Sequence, residues 1–297
     1  MLRKLGFLLI VSFLFTTCTL YAQELTPEQL VAEHVKSIGA PALLEKIKSQ
    51  SFIGFPEVKF IQGMQGTMTG QSALVVSQEG HIAIAMNFAD KDYPGEYFAY
   101  DGNTVSVKNM KPGLRSPIAD FIFRFNKIMK QGMVGGVLST SWPLLKIKEQ
   151  GAEMKCRKTK VEGREVYELE YRPKDFIGNM TIRMYFDPTT FRHVRTEYKV
   201  RTQDDASTNY ALGNPDDPRE VEMGGIGAVR GESIYILVEK FDDFEKVGGV
   251  TLPKKYILNY NIEGTGQSAF IANWTINITQ AGFNSKLDDP KMFQAEK

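Results

Sequence analysis

Residues able to do covalent or metal chemistry are few in this chain, and they lie far apart. Three histidines, His34, His81 and His193, stand on separate segments at spacings that match no metal-ligand pattern. A lone histidine without a partner motif is ordinarily a surface or structural residue. Cys18 and Cys156 are the two cysteines. Cys156, in MKCRK, has no His or Asn motif beside it that would make a thiolate nucleophile. On the local alternation it belongs on a strand as a small half-buried residue. GxSxG, HExxH, GK[ST] and CxxC do not occur, so the usual nucleophile, zinc, phosphate and redox signatures are missing. The run GGIGAVRG precedes the strand pattern ESIYILV instead of joining a strand to a helix, so it lacks phosphate-loop context. Asp187-Pro188 and Asp288-Asp289-Pro290 are turn chemistry, and the other carboxylates read as solvated faces. The sequence therefore predicts no catalytic residue, no cofactor and no metal.

What remains is apolar surface, and the elements that carry it can be read from its period. In HIAIAMNF, Ile82, Ile84, Met86 and Phe88 fall on one face of a strand. In NMTIRMYF, Met180, Ile182, Met184 and Phe186 do the same. After the turn DPTT, Val194, Thr196, Tyr198 and Val200 are expected to oppose a polar face of His193, Arg195, Glu197 and Lys199. In SPIADFIFRFNKI, Ser116 can cap and Pro117 can open a helix whose apolar stripe is Ile118, Phe121, Ile122, Phe125 and Met129. Gly132, Gly135 and Gly136 break it before Trp142-Pro143. Met and Phe on such faces suit either a plain core or an acyl-chain site, because Met adapts to irregular space. Most apolar stripes are cores.

The rest of the chain is mainly β. TPEQLVAEHVKSIGA opens with Thr26 as N-cap, Pro27 at the first helical position and Glu28 in the first turn. PALLEKIKSQ resumes as a second short helix. From Ser51 onward short alternating segments are separated by Gly, Asp and Asn turns, with a hairpin signal at Asp101-Gly102. The stretch 204–231 carries turn formers and no period, which marks an inserted loop at about 202–231. The expected fold class is α+β, mostly β. A single curved antiparallel sheet forms an unclosed half-barrel. Helices from the N-terminus and from 116–145 cover its concave face.

Bulk numbers set the setting. The chain has 297 residues, 42% of them hydrophobic, enough for a sizeable core. Arg3 and Lys4 precede LGFLLIVSFLF and then LYA, the layout of a signal peptide over 1–22 with cleavage after Ala22. The apolar run is short for a membrane span, and a lipid anchor through Cys18 ranks behind cleavage because Phe15-Thr16-Thr17 fits a lipobox poorly. Residues 23–297 then read as one domain. Losing Arg3 and Lys4 leaves 34 basic against 35 acidic residues, a balance that attracts neither nucleic acid nor anionic lipid.

The order of elements resembles the periplasmic LolA and LolB type of lipoprotein-sorting carriers. The resemblance rests on the N-terminal helix, GTMTGQSALVVSQEGHIAIAMNF, the hairpin YFAYDGNTVSVKNM, the insertion SPIADFIFRFNKI, the meander YELEYRPKDFIGNMTIRMYFDPTTFRHVRTEY, and FNSKLDDPKMF at the end. It departs where the family has a basic step after the second strand, since Ser77-Gln78-Glu79-Gly80-His81 has no Arg. The resemblance implies a monomeric, non-enzymatic periplasmic protein of a Gram-negative bacterium. It would bind a lipid or lipoprotein acyl chain in a hydrophobic cavity, for transfer between a membrane-bound donor and acceptor. Ile82, Ile84, Met86, Phe88, Met180, Ile182, Met184 and Phe186 would line that cavity under a lid of Ile118, Phe121, Ile122, Phe125 and Met129. The alternative is a cell-envelope docking module with a filled core and an exposed apolar patch or strand edge.

Overall fold

A computed structural model describes residues 25–77, 79–111, 114–147, 151–174, 179–204, 231–264, 267–287 and 289–295. The signal segment over 1–22 and most of the 204–231 loop lie outside the described residues. Helix α1 (Pro27–Ile38) starts as its sequence requires. Thr26 accepts from the Gln29 amide while the Gln29 side chain accepts from the Thr26 amide, a reciprocal cap. Leu30, Val31, His34 and Ile38 form its buried face. A single helical turn, α2 (Pro41–Leu44), follows.

The first five strands are a meander: β1 (Ser49–Gln62), β2 (Gly66–Ser77), β3 (Ile82–Phe88), β4 (Gly95–Tyr100) and β5 (Val105–Val107). After an insertion the second meander runs through β8 (Glu153–Val161), β9 (Arg164–Arg172), β10 (Met180–Phe186), β11 (His193–Asp204), β12 (Gly231–Val247), β13 (Val250–Gly264) and β14 (Gln267–Phe283). β14 pairs with β1, which joins the two meanders into one twelve-stranded antiparallel sheet with β5 at one edge and β8 at the other. These two edges are not bonded to each other, so the sheet curls without closing. The mostly-β half-barrel read from the sequence is the observed fold.

Topology dictates where the insertion goes. The chain leaves β5 at one free edge and must reach β8 at the other, so it crosses the open side of the sheet. It does so as a small ribbon, β6 (Asn109–Lys111) with β7 (Leu114–Arg115), then α3 (Pro117–Arg124), α4 (Lys127–Lys130), and two 3-10 turns at Gly136–Leu138 and Pro143–Lys146. Glycine is needed where the chain folds back. Gly132 has φ +69°, and a Cβ there would sit 2.2 Å from the Ser141 carbonyl oxygen. Gly136 has φ +48°, and a Cβ there would press on Phe241 and His193.

Strand alternation holds through most of the sheet, with one phase error. His193 points into the interior and Val194 is only partly buried, the reverse of the expected order. The cause is a bulge. The β10–β11 register steps from Tyr185↔Arg195 to Phe186↔His193, so two consecutive residues face outward before Thr196 turns in. On the convex side a C-terminal 3-10 turn (Pro290–Phe293) lays Phe293 over Ala83 and Ala99, which is why these outward-facing alanines are buried.

Candidate functional site

The space enclosed by the sheet is occupied by the insertion. Ile82, Ile84, Met86 and Phe88 on β3 and Ile182, Met184 and Phe186 on β10 are all buried on the concave face, and Met180 is half-buried at its rim. Above them Ile118, Phe121, Ile122 and Met129 are fully buried and Phe125 is half-buried. Phe121 meets Tyr260 of β13 edge-on at 5.5 Å. The insertion is thus less a cover lying over the mouth than a plug seated in it. Beside Leu138, between Phe52, Leu74 and Tyr256, a crevice of about 10 Å³ remains, space for a single water.

Glu96, Glu239 and His34, all buried and titratable, accept hydrogen bonds from the plug. At its start, Glu96 of β4 accepts from the Ser116 hydroxyl, from the Ala119 amide at 2.9 Å and from the Ile118 amide at 3.3 Å. Tyr93 completes the set at 2.7 Å, and its oxygen accepts from the Trp274 indole at 2.7 Å. Ser116 occupies the N-cap position as the sequence predicts, but its side chain does not cap. A carboxyl from a neighbouring strand does so, satisfying helix amides that would otherwise be orphaned. At the middle, Glu239 of β12 accepts from the Gly135 amide at 2.8 Å and from the hydroxyls of Tyr256 and Tyr198, the latter at 2.8 Å. At the far end, the Trp142 indole donates to His34 Nε2 at 3.2 Å. His34 Nδ1 lies 3.1 Å from the Phe191 carbonyl. A carbonyl only accepts, so Nδ1 carries the hydrogen and Nε2 is left as acceptor.

Burial governs all three. Desolvation pushes Glu96 up to about 7, against the hydrogen bonds from Ser116, Tyr93 and the two amides. Desolvation likewise raises Glu239. It lowers His34 to about 4, and it holds His193, stacked on Trp142 at 4.9 Å, well below the usual imidazole range. The two kinds of group oppose each other. The Glu96 contribution is complete below about pH 4.5 and is lost as pH rises through 7. The His34 contribution is complete above about pH 6.5 and is lost as pH falls through 4. Comparison with Glu96→Gln isolates the first. Denaturant unfolding should show the stability advantage of wild type over this variant to be larger at pH 5 than at pH 8, by roughly 2–3 kcal/mol. An advantage that stays flat, or grows with pH, would show that Glu96 is ionised throughout.

Sequence reasoning placed the apolar sets on the inner face and missed the two acids, which it read as solvated. The signal was available. Glu96 alternates with Phe98, and Glu239 alternates with Tyr235, Leu237 and Phe241, so each carboxyl is in phase with an apolar face. Among the described residues, no group of three or more His, Cys, Asp or Glu side chains could hold a metal ion. Nor is any described helix long and apolar enough to cross a membrane.

No protein-family model and no curated protein matches the chain. Solved structures do. The chain is similar to a LolA superfamily protein from Nitrosomonas europaea, at 10% identity over 91% of this chain and 98% of that one, with a TM-score of 0.46. It is also similar to a domain assigned as an outer membrane lipoprotein-sorting protein from Vibrio parahaemolyticus, at 10% identity, 89% and 95% coverage and a TM-score of 0.40. A DUF1329 family protein from Desulfovibrio piger matches at 11% identity, 89% and 95% coverage and a TM-score of 0.38. These are similarities of chain path at about one identical residue in ten.

Proposed function

We propose that this protein is a non-catalytic carrier or sensor that binds the acyl chain of a lipid or lipoprotein in the trough now filled by its own plug. Export to the periplasm would place it between a membrane-bound donor and the outer membrane. One observation carries the reading. All twelve strands of the sheet are bonded to one another without help from the insertion, so the plug can leave without breaking a ladder hydrogen bond. Its departure uncovers an apolar floor, and an acyl chain can cover that floor again. Each methylene so buried contributes about 0.8 kcal/mol, so a long chain can offset the displaced contacts of Ile118, Phe121, Ile122 and Met129.

The filled interior also favours a second reading, a docking module of the cell envelope. Ile53, Phe55 and Ile61 stand 45%, 58% and 53% exposed on the outer face of β1, and β8 is the edge strand of the sheet among the described residues. Native mass spectrometry of the mature protein, purified from periplasm without detergent and followed by lipid extraction, separates the two. Carrier function predicts a stoichiometric acyl ligand or uptake of a fluorescent fatty-acyl probe. A clean apo mass together with no probe uptake would establish the docking reading instead.

A further inference from the structure

Where Glu96, Glu239 and His34 meet the plug, the frame accepts and the plug donates, while Tyr198 runs the other way with its hydroxyl 3.1 Å from the Met133 carbonyl. Glu96 accepts from Ser116, Ile118 and Ala119, Glu239 accepts from Gly135, and His34 accepts from Trp142. A cargo that displaces the plug inherits these acceptors. Glu96 keeps Tyr93, and Glu239 keeps Tyr198 and Tyr256, but the sites vacated by Ser116, Ala119, Gly135 and Trp142 face a trough from which the acyl chain excludes water. An acceptor left dry and unpaired is expensive, and an anion brought against the buried Glu96 carboxylate is more so.

Resting on the carrier reading, we propose that the trough selects amphiphiles whose head group donates hydrogen bonds and is not anionic, an ammonium or amide N–H joined to the alkyl chain, over fatty-acid or phosphate anions. An ammonium brings three N–H donors and a primary amide two, enough to pair the vacated acceptors at one of these sites. A carboxylate or phosphate head brings only acceptors to a surface of acceptors. Charge points the same way. Asp120 is the acidic residue facing Arg115 and Arg124 within the plug, at 3.4 Å and 2.6 Å. These groups lie on the plug and travel with it, so Glu96 is left as the carboxyl that can charge the exposed floor.

The test compares heads on one chain length. Hexadecylamine, hexadecanamide and hexadecanoate would each displace a neutral fluorescent reporter from the mature protein at about pH 8, where the amine is still protonated. The amine and the amide are expected to displace it at concentrations about tenfold or more below hexadecanoate, the ratio that one unpaired buried acceptor produces. In the double variant Glu96→Gln, Glu239→Gln the advantage of the amine over hexadecanoate should shrink to less than about threefold, while the amide keeps its place. Equal displacement by all three heads in the wild type, or preference for hexadecanoate, would overturn the selectivity and leave the carrier standing. Failure of the wild type to bind the reporter or any of the three would overturn the carrier reading itself, and the selectivity with it.

Discussion

Replacing Trp142 by alanine is expected to remove about 3–5 kcal/mol of stability, the range for deleting a buried indole. A mid-sized domain is stable by only about 5–15 kcal/mol, so the loss is a large share of the total. Trp142 is 1% exposed and lies in the last stretch of the plug. Its indole donates to His34 of α1, and its ring stacks on His193 of β11 at 4.9 Å. One side chain therefore ties the plug to a helix and to a strand. Deleting it also changes titration. His34 is held at about 4 mainly by burial, and water entering the vacated volume relieves that. NMR titration of the imidazoles should show His34 rising toward the ordinary histidine range near 6.5. The carrier reading adds a functional readout, because a plug that has lost one of its fastenings should admit a fluorescent acyl probe faster than wild type. Unfolding within about 1 kcal/mol of wild type, with His34 unmoved, would show that Trp142 does not fasten the plug.

The frame was legible in the sequence because a strand with one buried face has no choice but to alternate. Ile82, Ile84, Met86 and Phe88 and, on β10, Ile182, Met184 and Phe186 lie on the inner face, as their period requires. The insertion was legible too, from Ser116-Pro117 and the glycines that follow the helix. Two things were hidden. The first is the phase of β11, where a bulge places His193 inside among Phe186, Trp142 and Phe241. A bulge adds one residue to a strand without any obligatory sequence mark, so the period alone cannot place it. The second is the role of Glu96 and Glu239. A carboxylate is solvated unless it finds donors, and the donors here come from far along the chain: Ser116, Ile118 and Ala119 for Glu96, Gly135 for Glu239. Only the crossing of the insertion from the β5 edge to the β8 edge brings them together. Phase with an apolar face marks such acids as candidates, and topology decides them.

The Glu239 site distinguishes a neutral acid from a buried anion by a count of hydrogens. Tyr198 has one hydroxyl hydrogen and two acceptors in reach, Glu239 Oε2 at 2.8 Å and the Met133 carbonyl at 3.1 Å. If Glu239 is ionised, one of these contacts is a clash of lone pairs. If it is protonated on Oε2, it donates to the Tyr198 oxygen, Tyr198 donates to Met133, and every contact is satisfied without a charge in the core. Burial raises the Glu239 carboxyl in the same direction. Glutamine reproduces the neutral acid, with a carbonyl for Gly135 and Tyr256 and an N–H for Tyr198. Glu239→Gln should therefore unfold within about 1 kcal/mol of wild type. Alanine reproduces nothing. Glu239→Ala strips the Gly135 amide and the Tyr256 hydroxyl of their acceptor, takes the donor from Tyr198 and leaves a hole between plug and sheet, a loss of about 3–5 kcal/mol. The split between the two variants is the diagnostic quantity in urea unfolding at neutral pH. If glutamine proved as damaging as alanine, the carboxyl would have to be an anion whose charge the plug requires, and the acceptor floor would then be more strongly negative than a neutral Glu239 allows. If the split is large, the plug is anchored at its middle by a neutral hydrogen-bond network, and Glu96 alone carries the charge that pH can switch.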